Sequence, residues 1–462
     1  MQRKTEGSAS SIPLNCVDKS LLALDSANEP MLFRLILNLK GEIDSGRLNQ
    51  AILSARQAHP VVRTMLRSRN WRLSREIQED SGKGVLSVAD QAELQNTSHE
   101  NYLSSWINQP FNIKEEFPVR VLLLRKDERE SSLIFTFHHS VADGLGALLF
   151  MRKVIESYNG ESSGNSKSLG DTYINRKGDE LLEFAHSQRS KVGHYYRKMI
   201  SSLFYRFVVA AFLPPTRVFH DKRGQWEGIH FRSENITSPE FEKIQSKSKS
   251  VGVTLNDIFL AACFRTVEKW NRLHGKISRR IRIMVPVNIA PETSQGMVSN
   301  QVSFVSLSTK PEDRTDPAEL LIRVSRNMAH MRKNGIAFSM VYFLYFCSRF
   351  PLAVMKAIAR FFMITRTYVD TTVLSNLGVI WSAASGVERE ETKMGGAEIT
   401  TVECVVPAVT PMGMSICVNT YNENLNVCLI YRTSFFSDEK AQQFLDLYVE
   451  EIRNYQVGGK SA

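Results

Sequence analysis

The hydrophobic and polar positions divide this chain into short units whose spacing keeps switching. Residues 31–39 are apolar almost throughout, broken only by Arg34 and Asn38, and read as a strand closed by Lys40-Gly41. Ser45 then caps a helix with apolar residues at Leu48, Ile52 and Leu53 that ends at His59-Pro60. Short strands are predicted at 61–67 and 71–77, and again at 119–124 and 132–137 around the charged turn 126–130. A helix is predicted over 145–158. The Gly/Ser/Asn-rich stretch 159–166 is the strongest linker signal in the chain.

A basic helical region leads from there to Pro214-Pro215, where a second series begins. It contains helices from about 238, over 254–274, 317–333 and 437–455, and strands at 281–287, 371–374, 413–418 and 425–431. Helices and strands alternate in both series, which predicts α/β layers with a mixed sheet in each half. The expected organisation is an N-terminal half over 1–171, a connecting segment over 172–223 and a C-terminal half over 224–462.

Charge changes this picture because it is unevenly placed. The 462 residues carry 58 Lys+Arg and 48 Asp+Glu, a formal net charge of +10. Residues 172–223 contribute +6 (ten basic, four acidic), and residues 320–369 contribute +8 with no acidic residue. The remainder is therefore net −4. Both segments also carry bulky apolar runs, at 203–209 and 340–346. That composition fits an anionic membrane surface or a long-chain ligand, and equally two amphipathic helices packed on a core with their basic residues outward. Arg206, Arg349, Lys356 and Arg360 interrupt the runs well short of the roughly 20 residues a membrane-spanning helix needs. No recognition-helix signature accompanies the charge, so nucleic acid is not an expected partner. Residues 1–13 lack an apolar run, and no secretory signal is expected. The six cysteines show no CxxC spacing, which points to reduced thiols in a cytoplasmic protein and to no metal site.

The chemistry concentrates in Phe137-His138-His139-Ser140-Val141-Ala142-Asp143-Gly144. A strand runs into two histidines, a short loop, an aspartate and a glycine that opens a helix. One imidazole at the end of a rigid strand can face a channel and take a proton from a hydroxyl or amine near neutral pH. The glycine allows a sharp turn. HHxxxDG arises by chance in roughly one chain in a thousand of this length. Gly160-Glu161-Ser162-Ser163-Gly164 matches GxSxG but has no strand leading into it, so a nucleophile elbow is not expected.

His138, His139, Asp143 and Gly144 resemble the HHxxxDG hallmark of the acyl-CoA- and acyl-carrier-dependent acyltransferases. That superfamily includes chloramphenicol acetyltransferase-like enzymes, condensation domains, and wax ester synthase/diacylglycerol acyltransferases. Further stretches are similar to the family's in order: His59-Pro60-Val61-Val62-Arg63, Pro110-Phe111-Asn112-Ile113, Thr254-Leu255-Asn256-Asp257, Val285-Pro286-Val287-Asn288, Ser299-Asn300 and Ser375-Asn376-Leu377-Gly378. The resemblance runs from about residue 15 to 455.

It implies an α/β fold of two chloramphenicol-acetyltransferase-like halves with an active-site tunnel at their interface. His139 would be the general base, His138 and Asp143 would support the loop, and Gly144 would leave room for substrate. Ser375, Asn376, Asn288 and Asn300 would line the channel. The donor would be an acyl-CoA or a phosphopantetheinyl-carrier thioester, used as co-substrate with no bound cofactor. The acceptor would be a small molecule or lipid. An acyl carrier protein and peripheral contact with the inner face of a membrane are the further partners implied. The product is open between ester and amide, and a silent binding module on the same fold is the remaining alternative. One departure stands out. The family's Arg two positions after VPVN, partner to the motif aspartate, is Ala290 here, and Arg282 on the same predicted strand is the candidate replacement.

Overall fold

The computed structural model describes residues 11–69, 72–80, 82, 85–90, 98–161, 180–187, 213–222, 224, 228–290, 296–365, 369–381 and 392–455. Most of the expected linker 159–166, the GxSxG serine and the apolar run 203–209 lie outside these residues.

Two six-stranded mixed sheets form the framework. Strand β2 (Leu32–Lys40) pairs antiparallel with β7 (Glu130–His138) over its whole length, from Lys40 opposite Glu130 to Leu32 opposite His138. Outward from β7 lie β6 (Val119–Arg125) and β5 (Leu86–Ala89). Alternation along β2 and β7 sets the two faces of this sheet. Phe33, Leu35, Phe135 and Phe137 face helices α2 (Ser45–Ala58) and α4 (Gly144–Asn159), where the Phe150 ring meets Phe137 edge-on at 5.7 Å. Arg34, Asn38, Ser132, Thr136 and His138 share the opposite, more polar face.

The second sheet runs β10 (Val302–Thr309), β9 (Ile281–Asn288), β11 (Thr372–Val379), β14 (Met414–Tyr421), β15 (Asn424–Arg432), β8 (Ile229–Ile236). Helices α7 (Leu255–Leu273), α8 (Pro317–Lys333) and α11 (Asp438–Arg453) cover it. Trp270 of α7 meets Phe444 of α11 edge-on at 5.5 Å, and the Tyr448 hydroxyl donates to the Phe259 carbonyl.

The halves are not cut cleanly in sequence. Strand β13 (Ala397–Val405), with the short β12 (Lys393–Met394) beyond it, joins the first sheet by pairing antiparallel with β2. Residues placed by the sequence in the 224–462 half therefore complete the N-terminal sheet. Two side chains of β14 fix this crossing, because Asn419 donates to the Val402 carbonyl and the Tyr421 hydroxyl to that of Ile399. All six cysteines are free thiols, and five are buried.

A third, small sheet holds β4 (Arg72–Ile77) between β1 (Ser11–Ile12) and β3 (Thr64–Arg69). It lies beside α1 (Cys16–Leu24), a helix capped by Asn15 with a reciprocal box to Asp18.

Candidate active site

The nine-residue pairing of β2 with β7 fixes where the histidine loop starts. His138 is the last strand residue, and the His139 N–H extends the ladder by donating to the Met31 carbonyl at 2.7 Å. The backbone of His139 is thereby set by a buried sheet, while its ring is half-buried and tilted 60° against Phe33 at 5.2 Å.

The tautomer follows from the ring's partner. His139 Nδ1 lies 3.1 Å from the Ala142 carbonyl, which can only accept, so Nδ1 carries the proton and Nε2 keeps its lone pair. Burial of the ring pushes its pKa below 6.5, and the neighbouring His138 adds to this. The hydrogen bond to Ala142 and the Asn300 carboxamide oppose the shift without cancelling it. The imidazole is therefore neutral at pH 7, with its basic nitrogen available.

His138 is arranged the other way round. It is fully buried, and its Nδ1 accepts from the Ser140 N–H at 3.2 Å, with the Ser140 hydroxyl 2.8 Å away. Its Nε2 faces Asp25, 3.4 Å from Oδ2. A ring occupied on one side and enclosed on the other shapes the loop.

Asp143 caps α4. Its Oδ1 accepts from the Gly146 N–H at 2.9 Å and its Oδ2 from the Gln301 N–H at 2.7 Å. Burial raises its pKa, and these backbone donors oppose the rise without cancelling it. Both oxygens are thus held by peptide groups from the two halves, which answers the Ala290 departure. Arg282 does not take the role: its guanidinium donates to the Val369 carbonyl, just before β11.

Gly144 differs from its sequence reading. It needs no unusual backbone angle. A Cβ there would collide with Leu377 Cδ2, so the missing side chain admits a leucine from β11. At Gly146 the constraint is backbone: a Cβ would meet the Ser299 N and O at 3.0 Å. The two glycines are where α4 of one half meets the other.

Asn300 is brought fully into the site. Its buried carboxamide donates to the His139 carbonyl at 2.8 Å and to Asp18 Oδ1 at 2.9 Å. Asp18 in turn forms a buried ion pair with Arg75 at 2.9 Å, and Arg75 also donates to the Ser140 carbonyl. Asn15 closes the circuit by donating to the Asn300 carbonyl. Arg75, Asp18 and Asn15 did not stand out in the sequence, and only the Asn15–Asp18 spacing of a capping box could have flagged any of them.

Asn376 bonds Asn256 at 3.3 Å and accepts from the Gly378 N–H, so Ser375–Gly378 reaches the histidine loop through Leu377 rather than through the asparagine. Asn288 is not drawn in. It is exposed at the end of β9, where its Oδ1 accepts from the Ala290 N–H.

A cavity of about 410 Å³ opens at the seam of the two sheets, lined by Asn38, Ser104, Ser132, His230, Glu403 and neighbours. It lies on the face shared with His138 but six positions along β2, roughly 20 Å away. A hollow of about 20 Å³ beside Met31 and Arg34 lies at the His138 end of β2.

Comparison with known proteins gives the following matches. A condensation-domain family model matches residues 21–342, and a WS/DGAT C-terminal-domain model matches residues 298–456. An uncharacterised protein of Mycobacterium tuberculosis is 23% identical over 311 residues, covering 65% of this chain and 67% of that protein. The chondramide synthase of Chondromyces crocatus is 24% identical over 247 residues; the match covers 50% of this chain and 6% of that much longer protein. Among solved structures, trichothecene 15-O-acetyltransferase from Fusarium sporotrichioides superposes with a TM-score of 0.67 at 11% identity, covering 98% of each chain. The SgcC5 protein of Streptomyces globisporus superposes with a TM-score of 0.63 at 17% identity, covering 96% of this chain and 98% of that one. At these identities the structural likeness shows a shared fold.

Proposed function

Because this chain belongs to the condensation-domain family, we propose that it transfers an acyl group from a thioester to a hydroxyl acceptor, with an acyl-CoA as donor and His139 as general base. The observation that carries this reading is the His139 ring: neutral, with Nδ1–H engaged by Ala142 and Nε2 left as the acceptor. Nε2 takes the proton of the acceptor hydroxyl as its oxygen attacks the thioester carbonyl carbon. When the tetrahedral intermediate collapses, the C–S bond breaks and the imidazolium returns the proton to the departing thiolate. Ester and free thiol result, and no covalent enzyme intermediate is needed. A thioester is already activated, so one base and correct placement supply much of the rate.

The ester is favoured over an amide by the WS/DGAT C-terminal match, which covers the Ser299–Asn300 and Ser375–Gly378 stretches. Carrier-bound donors are the second reading, supported by the condensation-domain match and by the likeness to the chondramide synthase. Incubation with parallel panels of acyl-CoAs and acyl-carriers, with hydroxyl and amine acceptors and mass spectrometry of the products, tests both. Ester formed from acyl-CoA is the expected result. Turnover of carrier donors alone would replace the first reading by the second, and no consumption of either donor would contradict acyl transfer itself.

A further inference from the structure

Helices α9 (Ile336–Ser348) and α10 (Leu352–Ile364) follow α8 and meet at a bend of 118°. The first half of α9 is largely buried, with Ala337, Val341 and Tyr342 in the second core. From Phe346 onward the pair turns outward. Eleven of the thirteen residues of α10 are apolar, yet Met355 is its one buried residue. Phe346, Phe350, Val354, Ile358, Phe361 and Ile364 are each between 42% and 70% exposed. Within α10, Val354, Ile358, Phe361 and Ile364 are spaced three or four apart and form one exposed side of the helix, a ridge, with Phe346 and Phe350 at the bend before it. A helix that is apolar nearly all round belongs in a core or in lipid, and this one is not in the core.

The charge beside the ridge selects the occupant. From Ile336 to Ile364 the chain carries three cations, Arg349, Lys356 and Arg360, and no Asp or Glu. Arg349 at the bend and Arg360 within α10 are both exposed. A protein partner would need a polar rim of donors and acceptors, whereas this ridge offers apolar side chains and cations alone. A 13-residue helix is about 20 Å long, too short to cross a hydrocarbon core of about 30 Å but suited to lying in its surface. We infer that the α9–α10 ridge docks on an anionic lipid surface, with Phe361 and Ile364 inserted and Arg349 and Arg360 at the headgroup level.

The docked helix is anchored to the site. Leu352 packs against a small cluster of Leu14, Leu22 and Leu66, and the Lys356 ammonium donates to the Asp25 carbonyl just beyond α1. Through Asp18, α1 also holds Asn300 and so the His139 backbone. One helix therefore separates the lipid-facing ridge from the histidine loop. The inference stands apart from the catalytic reading, because lipid binding is measured without turnover.

The test is flotation of the full chain with vesicles of phosphatidylcholine alone or of phosphatidylcholine with phosphatidylglycerol, at low and high salt. The expected result is flotation with the anionic vesicles, weakened by salt. The Phe361→Ser/Ile364→Ser variant should lower the bound fraction about tenfold or more. A matched variant at two exposed apolar residues elsewhere, Leu273→Ser/Ile277→Ser, should stay within about twofold. An unchanged urea midpoint confirms that both variants are folded. The inference is overturned if the wild type does not float, or if both variants lose binding equally, as non-specific adsorption would require. It is also overturned if light scattering shows a dimer that the α10 variant dissolves while vesicles are ignored, since the ridge would then cover a second copy. Retention by an acidic protein without lipid binding would overturn it too.

Discussion

Burial holds the His139 imidazole below its ordinary pKa of 6.5, and the rate consequence has a definite sign. Protonation silences Nε2, so the acid limb of the kcat/KM profile should fall below pH 6.5, with a flat plateau through neutrality. A midpoint above 6.5 would mean that a different group titrates. The surrounding clamp makes a second prediction at this scale. Arg75 and Asp18 form a buried pair, so Arg75→Ala should leave a buried carboxylate uncompensated and cost roughly 3–5 kcal/mol in urea unfolding. Arg75→Lys should restore little, since one ammonium does not reach both Asp18 and the Ser140 carbonyl with the fork of a guanidinium. Asn300→Ala should lower kcat more than it raises KM, because it frees the His139 carbonyl and so the placement of the base. The histidine motif was legible because its parts are contiguous. The clamp was not: Arg75 lies 57 positions from Asp18, and Asn300 lies 282 from it.

The elements that carry the motif could be read from spacing alone. β2, β7, α4, α7, β9, α8 and α11 lie within a few residues of where their apolar runs placed them. The missed strands have physical reasons. In β13 the pairing with β2 shifts between Ile399 and Thr401, which breaks the period-two pattern that would have announced it. β8, the edge strand of the second sheet, reads Ile-His-Phe-Arg-Ser-Glu-Asn-Ile, polar through its middle because its flank faces the seam cavity and solvent. α1 was missed although its capping box was present, because Val17, Leu21 and Leu22 make too short a run to stand out. That box yields a prediction: Asn15→Ala removes the cap and a bond to the Asn300 carbonyl. It should lower the urea midpoint by an amount worth about 1–2 kcal/mol without changing the slope.

At the scale of the molecule, the two halves meet over glycines rather than over a soft interface. Gly144→Ala pushes against the tip of Leu377, which can rotate, whereas Gly146→Ala pushes against the Ser299 backbone, which cannot. Gly146→Ala should therefore be the more destabilising of the two, by roughly 1–3 kcal/mol. Leu377→Ala should relieve Gly144→Ala and leave Gly146→Ala unchanged in the same unfolding assay. The crossing of β13 into the first sheet makes such errors global, because neither sheet is complete without residues from beyond 392. The net charge of +10 takes its place in this architecture as well. Its largest surplus lies in the stretch 320–369, which includes the exposed apolar side of α10, one helix away from the histidine loop. The central claim remains the base at the end of β7. Its most direct test compares thiol release and ester formation by wild type and His139→Ala, with unfolding midpoints matched. A fall of about 10²–10⁴-fold in kcat at an unchanged midpoint is predicted, and turnover within a few-fold of wild type would contradict it.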